Sequence, residues 1–213
     1  NLAIKVEPAH TASGNTMYTA FVRLFGDSPA HTHRTEQTAE AERRLDADGY
    51  TVIPPSGTFR DLIRKLDVIM DQMNFRIVQL LPIHPEPSVY ARMGRFGSPF
   101  ASLDFMSVNP ELAEFDTKAT PLDQFRELTD AVHGRGGYLY IDLPANHTGW
   151  ASTLQTHHRN WFRHAPDGSI VSPGAWGVVW EDLAELDYSS PELRAYMADV
   201  LPMSPRLASA IRN

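Results

Sequence analysis

A chain of 213 residues, 42% of them hydrophobic and none in an apolar run near the ~20 residues of a membrane-spanning helix, is expected to be soluble and globular and to bury a sizeable core. Its formal charge of −7, with 19 basic residues scattered apart from Arg43 and Arg44, argues against a phosphate-binding surface, so neither nucleic acid nor membrane is an expected partner. The absence of cysteine excludes disulfides and thiolate chemistry but leaves the compartment open, with a lean to the cytoplasm; Asn1 is not followed by a basic and then an apolar leader segment.

Met17 to Leu24 is rich in aromatic and β-branched residues and runs into Gly26-Asp27-Ser28-Pro29, which predicts a strand entering a loop. The polar stretch that follows, to Ser56, reads as a surface insertion with a short helix around Glu36 to Leu45. Thr58 is an N-cap candidate with Asp61 in the first turn, and Phe59, Leu62, Ile63, Leu66, Ile69 and Met70 recur at helical spacing. Phe75 to Leu81 is too short for a helix and too apolar for a surface loop, so it is expected to be a buried strand stopped by Pro82.

Thr120 and Pro121 supply the N-cap and first position of the next helix, with Leu122, Phe125, Leu128 and Val132 inward and Gly134, Gly136 and Gly137 at its end. A strand over Tyr138 to Leu143 follows. Ser190 and Pro191 repeat the capping device ahead of Leu193, Tyr196, Met197, Val200 and Leu201, and Pro202 is expected to terminate that helix. Strands alternating with helices favour an α/β fold with a parallel sheet, open or closed into a barrel.

The strand at Tyr138 ends in Asp142-Leu143-Pro144-Ala145-Asn146-His147, an acid, an amide and an imidazole just past a strand's carboxyl end, where α/β proteins place their chemistry. This segment resembles the first signature region of the α-amylase family, glycoside hydrolase family 13, whose third barrel strand delivers Asp and then Asn and His four and five residues on. MYTAFVRLFGD, FRIVQLLPIHPEP and SPFASLDFMSVNPEL line up with the family in the same order, and Leu186 to Arg194 resembles its passage into helix three. The resemblance spans roughly residues 17 to 201 and implies the N-terminal portion of a (β/α)8 TIM barrel. Residues 1–142 would hold strands one to three with a loop insertion at about 25–57, 143–190 an inserted domain after strand three, and 191–213 helix three and a tail unlike the family.

The family performs retaining cleavage or transfer of α-glucans, which requires a carboxylate nucleophile and a carboxylic acid about 5 Å apart. Its strand-four nucleophile motif, Gly-Phe-Arg-x-Asp-like, does not occur here, and the strand-five acid and strand-seven Asp are missing with it. The resemblance therefore implies a chain that stops before strand four, inactive alone, from a parent acting on starch, glycogen, maltodextrin or maltooligosaccharides. A non-catalytic glycan-binding fragment or remnant is the alternative. An unpaired strand edge would invite self-association.

By the same resemblance Asp142 supports the active-site hydrogen bonds, and His147 contacts the bound glucose from a loop, a satisfied structural histidine being the alternative. Asn146 stands where many members hold calcium, which prefers oxygen ligands, and is otherwise a structural amide. Phe100 occupies the place of a sugar-stacking Tyr, keeping the apolar face without the hydroxyl. Asp104 reads as structural; Trp150, Trp161, Trp176 and Trp180 either line a glycan groove or form the core of the inserted region, core being the expectation for most of them. His31-Thr32-His33 raises a less favoured reading, a zinc- or iron-dependent barrel hydrolase, while His157, His158 and His164 sit in a polar, solvated stretch.

Overall fold

The computed structural model describes residues 16–26, 36–48, 56–87 and 97–209. Three short strands, β1 (Met17–Ala20), β2 (Ile77–Leu80) and β3 (Tyr138–Ile141), form a parallel sheet in that spatial order. The register pairs Met17 with Ile77 and Ile77 with Tyr138, continuing to Ala20, Leu80 and Ile141. Because side chains alternate along a strand, Tyr18, Val78, Leu139, Ala20, Leu80 and Ile141 share one face.

That face is covered by two helical segments whose starts are set locally. The first, α2, spans Phe59–Ile63 and opens with a capping box in which the Thr58 hydroxyl accepts from Asp61 N–H and the Asp61 carboxylate accepts from Thr58 N–H. It continues as a wider π-helical stretch, Asp67–Gln72, closed by Asn74 at φ +60°. The single regular helix expected from Phe59 to Met70 is thus split, but Phe59, Leu62, Leu66, Ile69 and Met70 are all buried as the spacing requires. The second, α3 (Pro121–His133), carries the same box at Thr120 and Asp123 and buries Phe125, Leu128 and Val132. These side chains and the helix-facing strand residues make one continuous core.

On the opposite face no described helix packs in the same way. Met17, Tyr138 and Tyr140 are each more than 40% exposed there, with Thr19 exposed, Gln79 half-buried and Ile77 of the central strand buried. Helices on one face only are the arrangement of a barrel wall rather than of an open doubly wound sheet.

Several boundaries differ from expectation. The first strand stops at Ala20, whose carbonyl accepts the last ladder bond from Leu81 N–H at 3.0 Å, and Val22–Leu24 form a 3-10 turn. The turn carries Arg23 into a buried ion pair. The polar insertion does contain a helix, α1 (Glu36–Ala47). The last helix, α5 (Pro191–Ser209), does not end at Pro202 but runs through Pro202 and Pro205, where each ring forfeits a main-chain hydrogen bond.

Between β3 and α5 the chain forms β4 (His147–Gly149), α4 (Thr153–His157), the hairpin strands β5 (Gly174–Ala175) and β6 (Val178–Val179), and β7 (Leu183–Glu185). β4 and β7 pair antiparallel, as do β5 and β6. Leu154, Trp161, Phe162, Ala184 and Leu186 from this region share a second core with Phe105 and with Leu193, Met197 and Val200 of α5. Among the described residues no helix is long and apolar enough to cross a membrane.

Candidate active site

The segments after β1, β2 and β3 leave the sheet at one end, and Phe100, Asp142, Asn146 and His147 lie on those that follow β2 and β3. Asp142 follows β3 directly, its N–H extending the ladder to the Leu80 carbonyl at 2.9 Å, so its half-buried side chain starts from a rigid strand end. Five residues on, His147 is held not on a loop but in β4, opposite Glu185 of β7. Its side chain is only 6% exposed. Asn146, one residue earlier, is exposed in the turn, and its carbonyl accepts from Leu186 N–H.

The loop of Ser98 to Asp104 is laid across β4. Gly149 N–H donates to the Ser102 carbonyl at 2.9 Å, and a Cβ at Gly149 would stand 2.4 Å from the Ala101 carbonyl oxygen, so only glycine allows this approach. The crossing brings the Phe100 main chain up to the His147 ring. The Phe100 side chain is 38% exposed at this edge. Trp180 closes another side, its ring 6.2 Å from that of His147 and inclined at 67°.

Neither His147 ring nitrogen has a hydrogen-bond partner of normal geometry, although both are buried. Burial holds the imidazole below its ordinary pKa, opposed by the Phe100 main chain and by the Asp182 carboxylate. The ring is therefore neutral at pH 7, one nitrogen a donor and the other an acceptor. A structural histidine looks different, and His84 supplies the contrast: also buried, it pairs Nδ1 with the Ser107 carbonyl at 3.0 Å and rests edge-on against Phe105.

Other residues fall outside this group. Asp104 accepts from Met106 N–H and the Ser107 hydroxyl, capping its own turn as expected. Of the four tryptophans only Trp161 is core; Trp150 is half-buried and donates its indole N–H to the Glu181 carbonyl, and Trp176 is 99% exposed. His31 and His33 lie outside the described residues. Among the described residues no group of three or more His, Cys, Asp and Glu side chains converges on Asn146 or elsewhere.

Sequence reasoning missed Arg23, Asp182 and Gly149. Arg23 was signalled by a lone charge inside an apolar run: its guanidinium, 2% exposed, meets the buried Glu86 at 2.6 Å and the half-exposed Glu111 at 2.8 Å, and donates to the Ser56 hydroxyl. It ties the segment after β1 to the segment after β2.

No family model matches the chain. It is similar to α-amylase SusG of Bacteroides thetaiotaomicron, 30% identical over 130 residues that make up 57% of this chain and 16% of that protein. It is also similar to the α-1,4-glucan:maltose-1-phosphate maltosyltransferase of Myxococcus xanthus, 28% identical over 171 residues, 74% of this chain and 24% of that protein. Among solved structures, an α-amylase from Lactobacillus plantarum superposes with a TM-score of 0.65 at 29% identity, covering 89% of this chain and 35% of that one. The chain thus spans less than a quarter of the length of these curated relatives. With the three parallel strands, the helices on one face and the Asp142 to His147 signature, these likenesses make the chain similar, over most of its length, to the N-terminal part of the (β/α)8 barrel of the α-amylase family, glycoside hydrolase family 13.

Proposed function

We propose that this chain forms the substrate-side part of a retaining α-glucan hydrolase or transglycosylase and does not turn substrate over by itself. One observation carries the reading. A buried, neutral imidazole, flanked by Trp180 and Phe100 and with no ring-nitrogen hydrogen bond of normal geometry, is an incomplete hydrogen-bonding site that a sugar hydroxyl completes. In this reading His147 donates to a hydroxyl of the glucose at the cleaved position, Phe100 offers its ring as an apolar wall, and Asp142 supports the polar network from the end of β3. Burial of an unpaired imidazole costs about 1–3 kcal/mol in the free protein, and a bound hydroxyl relieves that cost.

Turnover needs two carboxyl groups about 5 Å apart, and no Gly-Phe-Arg-x-Asp-like motif occurs in these 213 residues. The test has two arms. A reducing-sugar assay of the pure chain on starch, glycogen and maltooligosaccharides should read zero, and sustained turnover abolished by a point change in the chain would overturn the proposal. Calorimetric titration with maltose should show binding that His147→Ala weakens roughly tenfold to a hundredfold, the equivalent of one such hydrogen bond. Unchanged sugar binding with altered melting would make His147 structural.

A further inference from the structure

The hairpin of β5 and β6 is the most exposed apolar feature among the described residues. Trp176 at its tip is 99% exposed, and Val178 and Val179 are 61% exposed each. The turn is Trp176-Gly177, with φ of +51° and +82°. Two successive residues in the left-handed region make a two-residue hairpin turn whose first position ordinarily holds Asn, Asp or Gly. A bulky indole there is a backbone outlier. It gains no packing in exchange from the described residues, the ring being 99% exposed.

The hairpin is nevertheless built to stand. Gly174 allows the two strands to close, since a Cβ there would lie 2.3 Å from the Val178 carbonyl oxygen. At its base Trp180 N–H donates to the Pro173 carbonyl at 2.8 Å. Trp180 is the residue whose ring stands beside His147. The hairpin therefore rises from the wall of the candidate site. Trp176 lies four positions before Trp180, at most about 14 Å of extended chain, a span that an oligosaccharide running out from His147 can cover. Pro173 to Trp180 carries no charged side chain, which suits an uncharged partner.

We propose that Trp176 is an outer binding subsite for an α-glucan chain, its indole stacking on the apolar face of a glucose unit several residues along from the one at His147. The inference rests on the function proposed above and adds a second contact, which favours long oligosaccharides over short ones. An aromatic side chain suits the task because it presents a large rigid face at little conformational cost.

The test titrates the 213-residue chain with maltose and with maltoheptaose by isothermal calorimetry, using wild type, Trp176→Ala, Trp176→Phe and His147→Ala, with sedimentation velocity on each. Trp176→Ala should bind maltoheptaose about three- to tenfold more weakly and maltose as well as wild type does, with Trp176→Phe close to wild type. His147→Ala should weaken both sugars. Equal affinity of Trp176→Ala and wild type for maltoheptaose would overturn the subsite while leaving the His147 reading intact if His147→Ala still loses maltose. Wild type that binds neither sugar would overturn both. A fall in sedimenting mass in Trp176→Ala, with sugar affinity unchanged, would assign the hairpin to contact between copies of the chain and likewise overturn the subsite.

Discussion

Replacing Arg23 by methionine tests whether the end of the candidate site is held by charge or by packing. The guanidinium is 2% exposed and its partner Glu86 is 3% exposed, at 2.6 Å, while Glu111, at 2.8 Å, is 52% exposed. Burial pushes the Glu86 carboxyl above its ordinary pKa even with Arg23 beside it. Methionine fills much of the same volume but leaves that carboxylate buried and unpaired, which typically costs about 3–5 kcal/mol; the exposed Glu111 arm contributes no more than ~1 kcal/mol. Urea unfolding at pH 7 should show that loss for Arg23→Met. Adding Glu86→Gln to the same chain should return about 1–2 kcal/mol, because an amide is cheaper to bury than an unpaired charge.

The pH dependence has a definite sign. A carboxyl whose folded pKa is raised contributes stability that is fully present below the unfolded value and is lost as pH rises through the folded value. Without Arg23 the Glu86 pKa climbs further, so Arg23→Met should gain stability relative to wild type between pH 7 and pH 5. A cost below about 1 kcal/mol at pH 7, or no relief from either Glu86→Gln or acid, would refute the reasoning and show that the loops are held by packing around Val22 and Ile83 instead.

Gly149→Ala should destabilise the fold by about 2–4 kcal/mol, combining the clash of a Cβ 2.4 Å from the Ala101 carbonyl oxygen with strain on the Gly149 to Ser102 hydrogen bond, and should weaken sugar binding by displacing Phe100 from His147; wild-type melting and binding would contradict the close approach. His84 and His147 both have pKa values depressed by burial, so the unfolded chain binds protons that the native one refuses; melting temperature should fall as pH drops below about 6.5, and the fall should shrink in His147→Ala, whereas an identical pH profile would remove His147 as a contributor. The sheet face away from the helices, with Met17, Tyr138 and Tyr140 exposed, should give concentration-dependent association of the isolated chain and broad unfolding, and a monomer at all concentrations that unfolds in one sharp transition would contradict that expectation.

The parts of this protein that could be read from the amino-acid order alone are those set within a few residues. Thr58 with Asp61, and Thr120 with Pro121 and Asp123, mark helix starts because capping satisfies main-chain donors one turn away. The buried sides of those helices follow from the 3.6-residue repeat, and Asp142 with His147 is legible because the motif is contiguous.

What only the tertiary structure decided are pairings between distant segments. Strand alternation alone left open which side of β3 meets the helices: Leu139 and Ile141 do, because the parallel register sets them beside Val78 and Leu80 and places Tyr138 and Tyr140 on the other face. Arg23 meets carboxylates 63 and 88 residues away, Gly149 takes its meaning from Ala101, and His147 acquires its buried ring from Trp180 and the Phe100 loop. Such contacts depend on how three loops converge at one end of a sheet, and no local propensity encodes that convergence.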